Sequence, residues 1–188
     1  TGLGYFEAKV NGKAVCEERF IPVVSDFEKR DLSKFLYPLK DETTNAVYYY
    51  EYDVTALLAE GDNELTVQLG NGFYRQLERI IEGPHFGDVL KTIYALELET
   101  SEGKITLLSD GSETYKDSEI TYNNLFIGEV IDGNVVSEER PVIILEDMKS
   151  ELRPAIGTPD RVIRRITPTV LGKVDGKIQP LLFDSAKM

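Results

Sequence analysis

The stretch Tyr5-Phe6-Glu7-Ala8-Lys9-Val10-Asn11-Gly12-Lys13-Ala14-Val15 decides the fold class. Phe6, Ala8 and Val10 alternate with Glu7 and Lys9, the period-two pattern of a strand with one face in a core. Asn11-Gly12 accepts the positive φ angles of a tight type I′ turn, so the stretch predicts a β-hairpin. The same period recurs outward along the chain. Residues 47–53 (Val-Tyr-Tyr-Tyr-Glu-Tyr-Asp) read as a strand whose tyrosines pack their rings and keep their hydroxyls wet. Asp53 ends it, and residues 53–58 read as a capped single helical turn, closed by Glu60-Gly61-Asp62-Asn63 before a strand over 64–69. Residues 92–99 and 104–108 flank Thr100-Ser101-Glu102-Gly103 as a second hairpin. Residues 26–35 and 75–81 are too short or too interrupted by charge to build a helical layer. The expectation is an all-β protein, an antiparallel β-sandwich or jelly roll.

The last forty or so residues change character. Leu152-Arg153-Pro154-Ala155-Ile156-Gly157-Thr158-Pro159 reads as an extended, proline-rich connector, and a strand pattern restarts over 161–168. We therefore expect a first domain over 1–148, with 149–188 as a linker and the first strands of a second β domain. The abrupt stop at Leu181-Leu182-Phe183-Asp184-Ser185-Ala186-Lys187-Met188 suggests a fragment of a longer protein.

Of the 188 residues, 41% are hydrophobic, enough for a packed core. The 33 acidic against 21 basic residues give a formal charge of −12, which disfavours nucleic acid and anionic membranes as partners. No apolar run reaches the roughly 20 residues of a bilayer-spanning helix. Cys16 is the only cysteine, so no internal disulfide can form. This leans toward a cytoplasmic compartment, while a leader cut away ahead of Thr1 is also compatible with export. His85 is the only histidine, which leaves no multi-histidine metal site and no histidine-based triad with a spare base. Its expected place is a solvated or locally hydrogen-bonded loop.

The chemistry concentrates in Gly70-Asn71-Gly72-Phe73-Tyr74-Arg75, directly after the 64–69 strand. Two glycines around an amide, then two rings and a guanidinium, suit a loop facing a sugar. Phe73 and Tyr74 are either such a platform or ordinary rim and core aromatics. Calcium takes carboxylate, amide and backbone oxygens from irregular loops, and Asp26, Asn71 and Asp88 lie in three such loops. Asp26 and Asn71 also suit plain turn and cap chemistry. Carboxylates are abundant, yet no pair stands out as a glycosidase acid and base.

The strings Gly2-Leu3-Gly4-Tyr5-Phe6-Glu7, Val10-Asn11-Gly12-Lys13, Ser25-Asp26-Phe27-Glu28-Lys29-Arg30, Tyr52-Asp53-Val54-Thr55, Leu69-Gly70-Asn71-Gly72-Phe73-Tyr74-Arg75 and Phe86-Gly87-Asp88, in this order, carry a resemblance. Over about residues 1–136 the chain resembles the N-terminal β-sandwich module of bacterial α-L-rhamnosidases, glycoside hydrolase family 78. The tail from Pro159 to Pro168, with Leu182-Phe183-Asp184, is similar to the entrance of that family's next β domain. The resemblance implies a galactose-binding-like jelly roll ahead of a helical catalytic barrel that holds the catalytic acids. No residue here is therefore expected to be catalytic. It also implies a noncatalytic domain that binds or orients rhamnose-containing glycans, with no required cofactor and calcium as a candidate. Asp26, Asn71, Phe73, Tyr74 and Arg75 are the ligand-binding candidates, and Asp26, Asn71 and Asp88 the metal candidates. Relatives often carry Trp in the motifs matching Val24-Ser25-Asp26 and Gly72-Phe73-Tyr74, whereas this chain has none. The alternative is a purely structural module that packs on the catalytic barrel and binds nothing.

Overall fold

The computed structural model describes residues 1–24, 46–76, 86–145, 150–176, 179 and 181–182. In chain order the first strands are β1 (Gly2–Leu3), β2 (Tyr5–Val10), β3 (Lys13–Ala14), β4 (Glu18–Arg19), β5 (Ala46–Tyr49) and β6 (Leu65–Gly70). The middle of the chain adds β7 (Lys91–Thr92), β8 (Ala95–Thr100), β9 (Gly103–Leu108), β10 (Thr114–Tyr115), β11 (Ile120–Asn124), β12 (Gly128–Ile131) and β13 (Arg140–Pro141). The tail contributes β14 (Glu151–Pro154), β15 (Asp160–Arg161), β16 (Val170–Leu171) and β17 (Leu181–Leu182). A 3-10 turn over Thr55–Leu57 is the one helical element among the described residues, and nothing helical there is long or apolar enough to cross a membrane. The protein is an all-β sandwich of predominantly antiparallel pairs.

The opening hairpin forms as its sequence dictates. β2 pairs antiparallel with β3, and Asn11 and Gly12 take φ of 51° and 74° at the turn. Phe6 and Val10 are buried while Glu7 and Lys9 face out. On its other edge β2 pairs with β6 in the register Tyr5↔Gly70 to Val10↔Leu65. Asn11 ties the turn to the following loop: its Nδ2 donates to Leu57 O at 3.0 Å and to Asn63 Oδ1 at 2.8 Å, and its Oδ1 accepts from Glu64 N at 3.0 Å. Asp53 does not cap the 3-10 turn as expected: Val54 stands at the N-cap with no side-chain cap hydrogen bond, and Asp53 instead makes an Asx turn, with Thr55 N donating to its Oδ1 at 2.9 Å. β8 and β9 make the second hairpin, with Thr100 opposite Gly103.

Two further features differ from expectation. The tyrosine strand ends at Tyr49, because Tyr50 turns away to accept a hydrogen bond from Val23 N at 3.2 Å and to stack on Tyr52, with ring centroids 6.2 Å apart. Part of the proline-rich connector is a strand, since β14 runs parallel to β5 from Glu151↔Ala46 to Pro154↔Tyr49. Pro154 is tolerated as the last residue of this strand. Past it, Ala155 N donates to Tyr49 O at 2.9 Å, and β15 pairs antiparallel with β4. The described residues over 162–168 form no strand.

The core lies where these segments meet. Leu3, Val47 and Tyr74 form its buried cluster, with Phe86 and Leu90 packed against it. Phe6, Val10, Ile21 and Ala46 are buried nearby in sequence and sheet.

Candidate functional site

The loop after β6 is built by hydrogen bonds from both ends. Gly72 takes a φ of 54°, a left-handed conformation that favours glycine, and a Cβ there would crowd the Tyr5 ring at 3.2 Å. Arg75 N donates to Asn71 O at 3.1 Å and closes the turn. Asn71 is buried against β11: its backbone N donates to Asn123 Oδ1 at 2.8 Å and its Nδ2 to Asn123 O at 2.9 Å. Its remaining oxygen accepts from Arg75 Nη1 at 3.4 Å. Gln76, 2% exposed, donates through Nε2 to Asn124 Oδ1 at 3.4 Å. Its Oε1 and the Nε of Arg75 are buried without a protein partner. Asn71, Arg75 and Gln76 thus form a polar seam that clamps the loop to β11.

Tyr74 belongs to the core. Its carbonyl accepts from the backbone N of Phe86 and of Gly87, both at 3.2 Å, and its hydroxyl accepts from Lys91 Nζ at 3.2 Å. Phe73 points the other way. It is 38% exposed and meets Phe126 edge-on, with centroids 6.3 Å apart.

A shallow, open cleft lies beside Phe73 and encloses only about 10 Å³, room for roughly one water molecule. Gly2, Gly4, Tyr5, Pro22, Val23, Val24, Phe73 and Tyr74 line it. Gly4 is essential to this shape, because a Cβ there would collide with Gly70 O and the Leu90 side chain. Tyr5 also packs on the exposed Phe20, with centroids 5.7 Å apart. Burial, and then the negative charge of Asp160, push the Tyr5 hydroxyl pKa up, so it is a neutral donor and acceptor.

Of the candidates chosen from sequence, Phe73 and Tyr74 share this cleft, whereas Asn71 and Arg75 lie in the seam. Asp88 is exposed and does not line the cleft. Asp26 and His85 lie outside the described residues, although Val24 carries the cleft wall to within two residues of Asp26. Among the described residues no group of three or more His, Cys, Asp and Glu side chains could hold a metal. Asn71 and Asp88 alone fall short of the six to eight oxygens calcium takes, and the Asn71 oxygen already serves a guanidinium. The described donor set therefore does not fit calcium by itself. The sequence reading assigned no role to Tyr5 or Pro22. Gly4 was the available signal for Tyr5, since a glycine interrupting a strand-like run marks a bend or a close backbone approach, and here it forms the bend between β1 and β2 at a φ of 103°.

Residues 1–141 match the α-L-rhamnosidase N-terminal domain family. The chain belongs to that family. Within glycoside hydrolase family 78, the module is 31% identical over 144 residues to an α-L-rhamnosidase of Formosa agariphila, covering 70% of this chain and 13% of that protein. An α-L-rhamnosidase of Streptomyces avermitilis is 28% identical over 114 residues, or 60% of this chain and 9% of that protein. The module thus spans about an eighth or less of the curated relatives it matches. The crystal structure of the Streptomyces avermitilis α-L-rhamnosidase complexed with L-rhamnose superimposes with a TM-score of 0.71 at 21% identity, over 92% of this chain and 16% of that one. That of native Aspergillus terreus α-L-rhamnosidase gives 0.66 at 20% identity, over 91% and 20%. At these identities the structures establish the shared fold.

Proposed function

We propose that this module is a noncatalytic accessory domain of an α-L-rhamnosidase, which binds or orients rhamnose-containing glycans ahead of a catalytic domain in the same chain. The observation that carries this reading is the exposed Phe73 ring, which lines the shallow cleft together with the exposed Val23 and Val24. A deoxysugar presents a methyl group and an apolar C–H face, and an aromatic ring beside aliphatic walls complements both. The Tyr5 hydroxyl can exchange hydrogen bonds with sugar hydroxyls. Calcium enters through Asp26, Asn71 and Asp88 only if binding releases the Asn71 oxygen from Arg75. A second reading, a structural module that packs on the rest of the enzyme, is favoured by apolar side chains left in solvent, such as Leu108 on β9, Ile131 on β12 and Ile143, 83% exposed.

Titration of the ¹⁵N-labelled domain with L-rhamnose, with calcium and then with chelator, tests the proposal. Shifts should localise to Tyr5, Val23, Val24 and Phe73 with millimolar affinity, and Phe73→Ala should weaken binding about tenfold. A chelator-sensitive affinity would support the calcium arm. No shift up to about 100 mM sugar, well above the millimolar range of a weak lectin, would leave only the structural reading.

A further inference from the structure

We propose that residues 151–161 form a clasp that positions the wall of the cleft, with Arg161 on Glu18 as its register lock. The clasp lies past residue 141, where the family match ends. It returns to the first part of the chain at two points, β14 on β5 and β15 on β4. At the second point the charges are complementary in both cross-strand pairs, Asp160 opposite Arg19 and Arg161 opposite Glu18. Opposite charges directly across a pair favour one register and penalise a slip. Arg161 Nη2 donates to Glu18 Oε1 at 2.7 Å, and the Glu18 side chain is only 10% exposed. A carboxylate so far withdrawn from water needs partners, and beside the hydrogen bond from the Cys16 side chain, Arg161, 143 residues away in sequence, supplies the charged one.

The link to the cleft runs along β4. Phe20, the next residue after it, is held at a φ of 55°, a strained conformation for a residue with a Cβ that persists only while its neighbours hold it. Ile21 follows, fully buried, and its carbonyl accepts from Phe6 N at 2.8 Å. Pro22, Val23 and Val24 then form the wall, with Val23 N held by the Tyr50 hydroxyl. Loosening β4 therefore releases the strained joint on which the wall hangs. Glu18 and Arg161 are positioning residues that touch no ligand. The clasp gains its functional meaning from the sugar-binding reading, but the readouts below require no sugar, so the two can fail separately.

Amide hydrogen exchange in the 188-residue chain tests it, with Arg161→Gln, Glu18→Gln and Arg161→Lys compared. Both Gln variants should speed exchange at Glu18, Arg19 and Val23 about tenfold, a loss of roughly 1.4 kcal/mol. The β8–β9 hairpin, which makes no part of the clasp, should keep its wild-type rates. Arg161→Lys keeps the charge and should recover part of the protection at Val23. Wild-type exchange at Val23 in both Gln variants would overturn the proposal. So would acceleration spread equally over β8 and β9, because the pair would then be serving overall stability alone.

Discussion

Replacing Gly87 by alanine should cost this domain about 3 kcal/mol, at the upper end of what overpacking a core costs. The added Cβ would lie 2.9 Å from Tyr74 Cε1 and closer still to Cζ and the hydroxyl oxygen, against the roughly 3.5–4.0 Å of ordinary carbon contacts. Tyr74 cannot withdraw cheaply. Its ring is in the core cluster with Leu3 and Val47, its hydroxyl is held by Lys91, and its carbonyl by Phe86 N and Gly87 N. With a denaturant slope of about 2 kcal/mol/M, the urea midpoint should fall by about 1.5 M. Gly133→Ala is the matched control, since a Cβ there meets nothing within 4 Å, and it should stay within about 0.5 kcal/mol of wild type. In a Tyr74→Leu background the atoms in the way are gone, and the penalty of Gly87→Ala should drop below about 1 kcal/mol. Equal losses in both backgrounds, or a Gly87→Ala variant as stable as wild type, would refute the argument that these two residues are in direct conflict.

Asn11→Ala should lower stability by about 2 kcal/mol, from the left-handed turn position and the lost side-chain hydrogen bonds together. Asn11→Gly should recover the turn part only; thermal unfolding that shows full recovery would mean that the bonds to Leu57, Asn63 and Glu64 contribute nothing. Tyr94 Oη donates to Glu113 Oε1 at 2.7 Å, and this bond leads the causes that hold the Glu113 carboxyl below its ordinary range. A depressed acid adds stability that is present above its unfolded pKa and lost as pH falls through its folded one. Tyr94→Phe should raise the Glu113 pKa in a carboxyl ¹³C titration and erode stability above that range; an unmoved titration would contradict the assignment.

What was legible in the chain was local. Asn11-Gly12 specifies its turn through φ preferences alone, and the alternation in residues 5–10 and 95–100 selects a face whatever the partner. Asp53 and Asn63 reach backbone groups within four residues, so their roles follow from spacing. The tail was not legible in the same way. Glu151 to Pro154 alternate over only four residues and end in a proline, and their partner β5 lies more than a hundred residues earlier, so a short strand and an extended connector look alike until the parallel pairing exists. The Glu18–Arg161 pair has no sequence signal for the same reason.

In residues 70–76 the division falls within a single loop. The glycines, amides and rings by themselves mark a tight, polar and aromatic turn after a strand, because backbone freedom and side-chain chemistry are properties of each residue. Which ring faces water is not such a property. Tyr74 is core because Gly87 leaves room for its ring and Lys91 meets its hydroxyl, and Asn71 is a clamp because Asn123 lies beside it. Phe73 is left at the cleft because its neighbour has taken the interior, an allocation that only the packing of distant segments against one another can make.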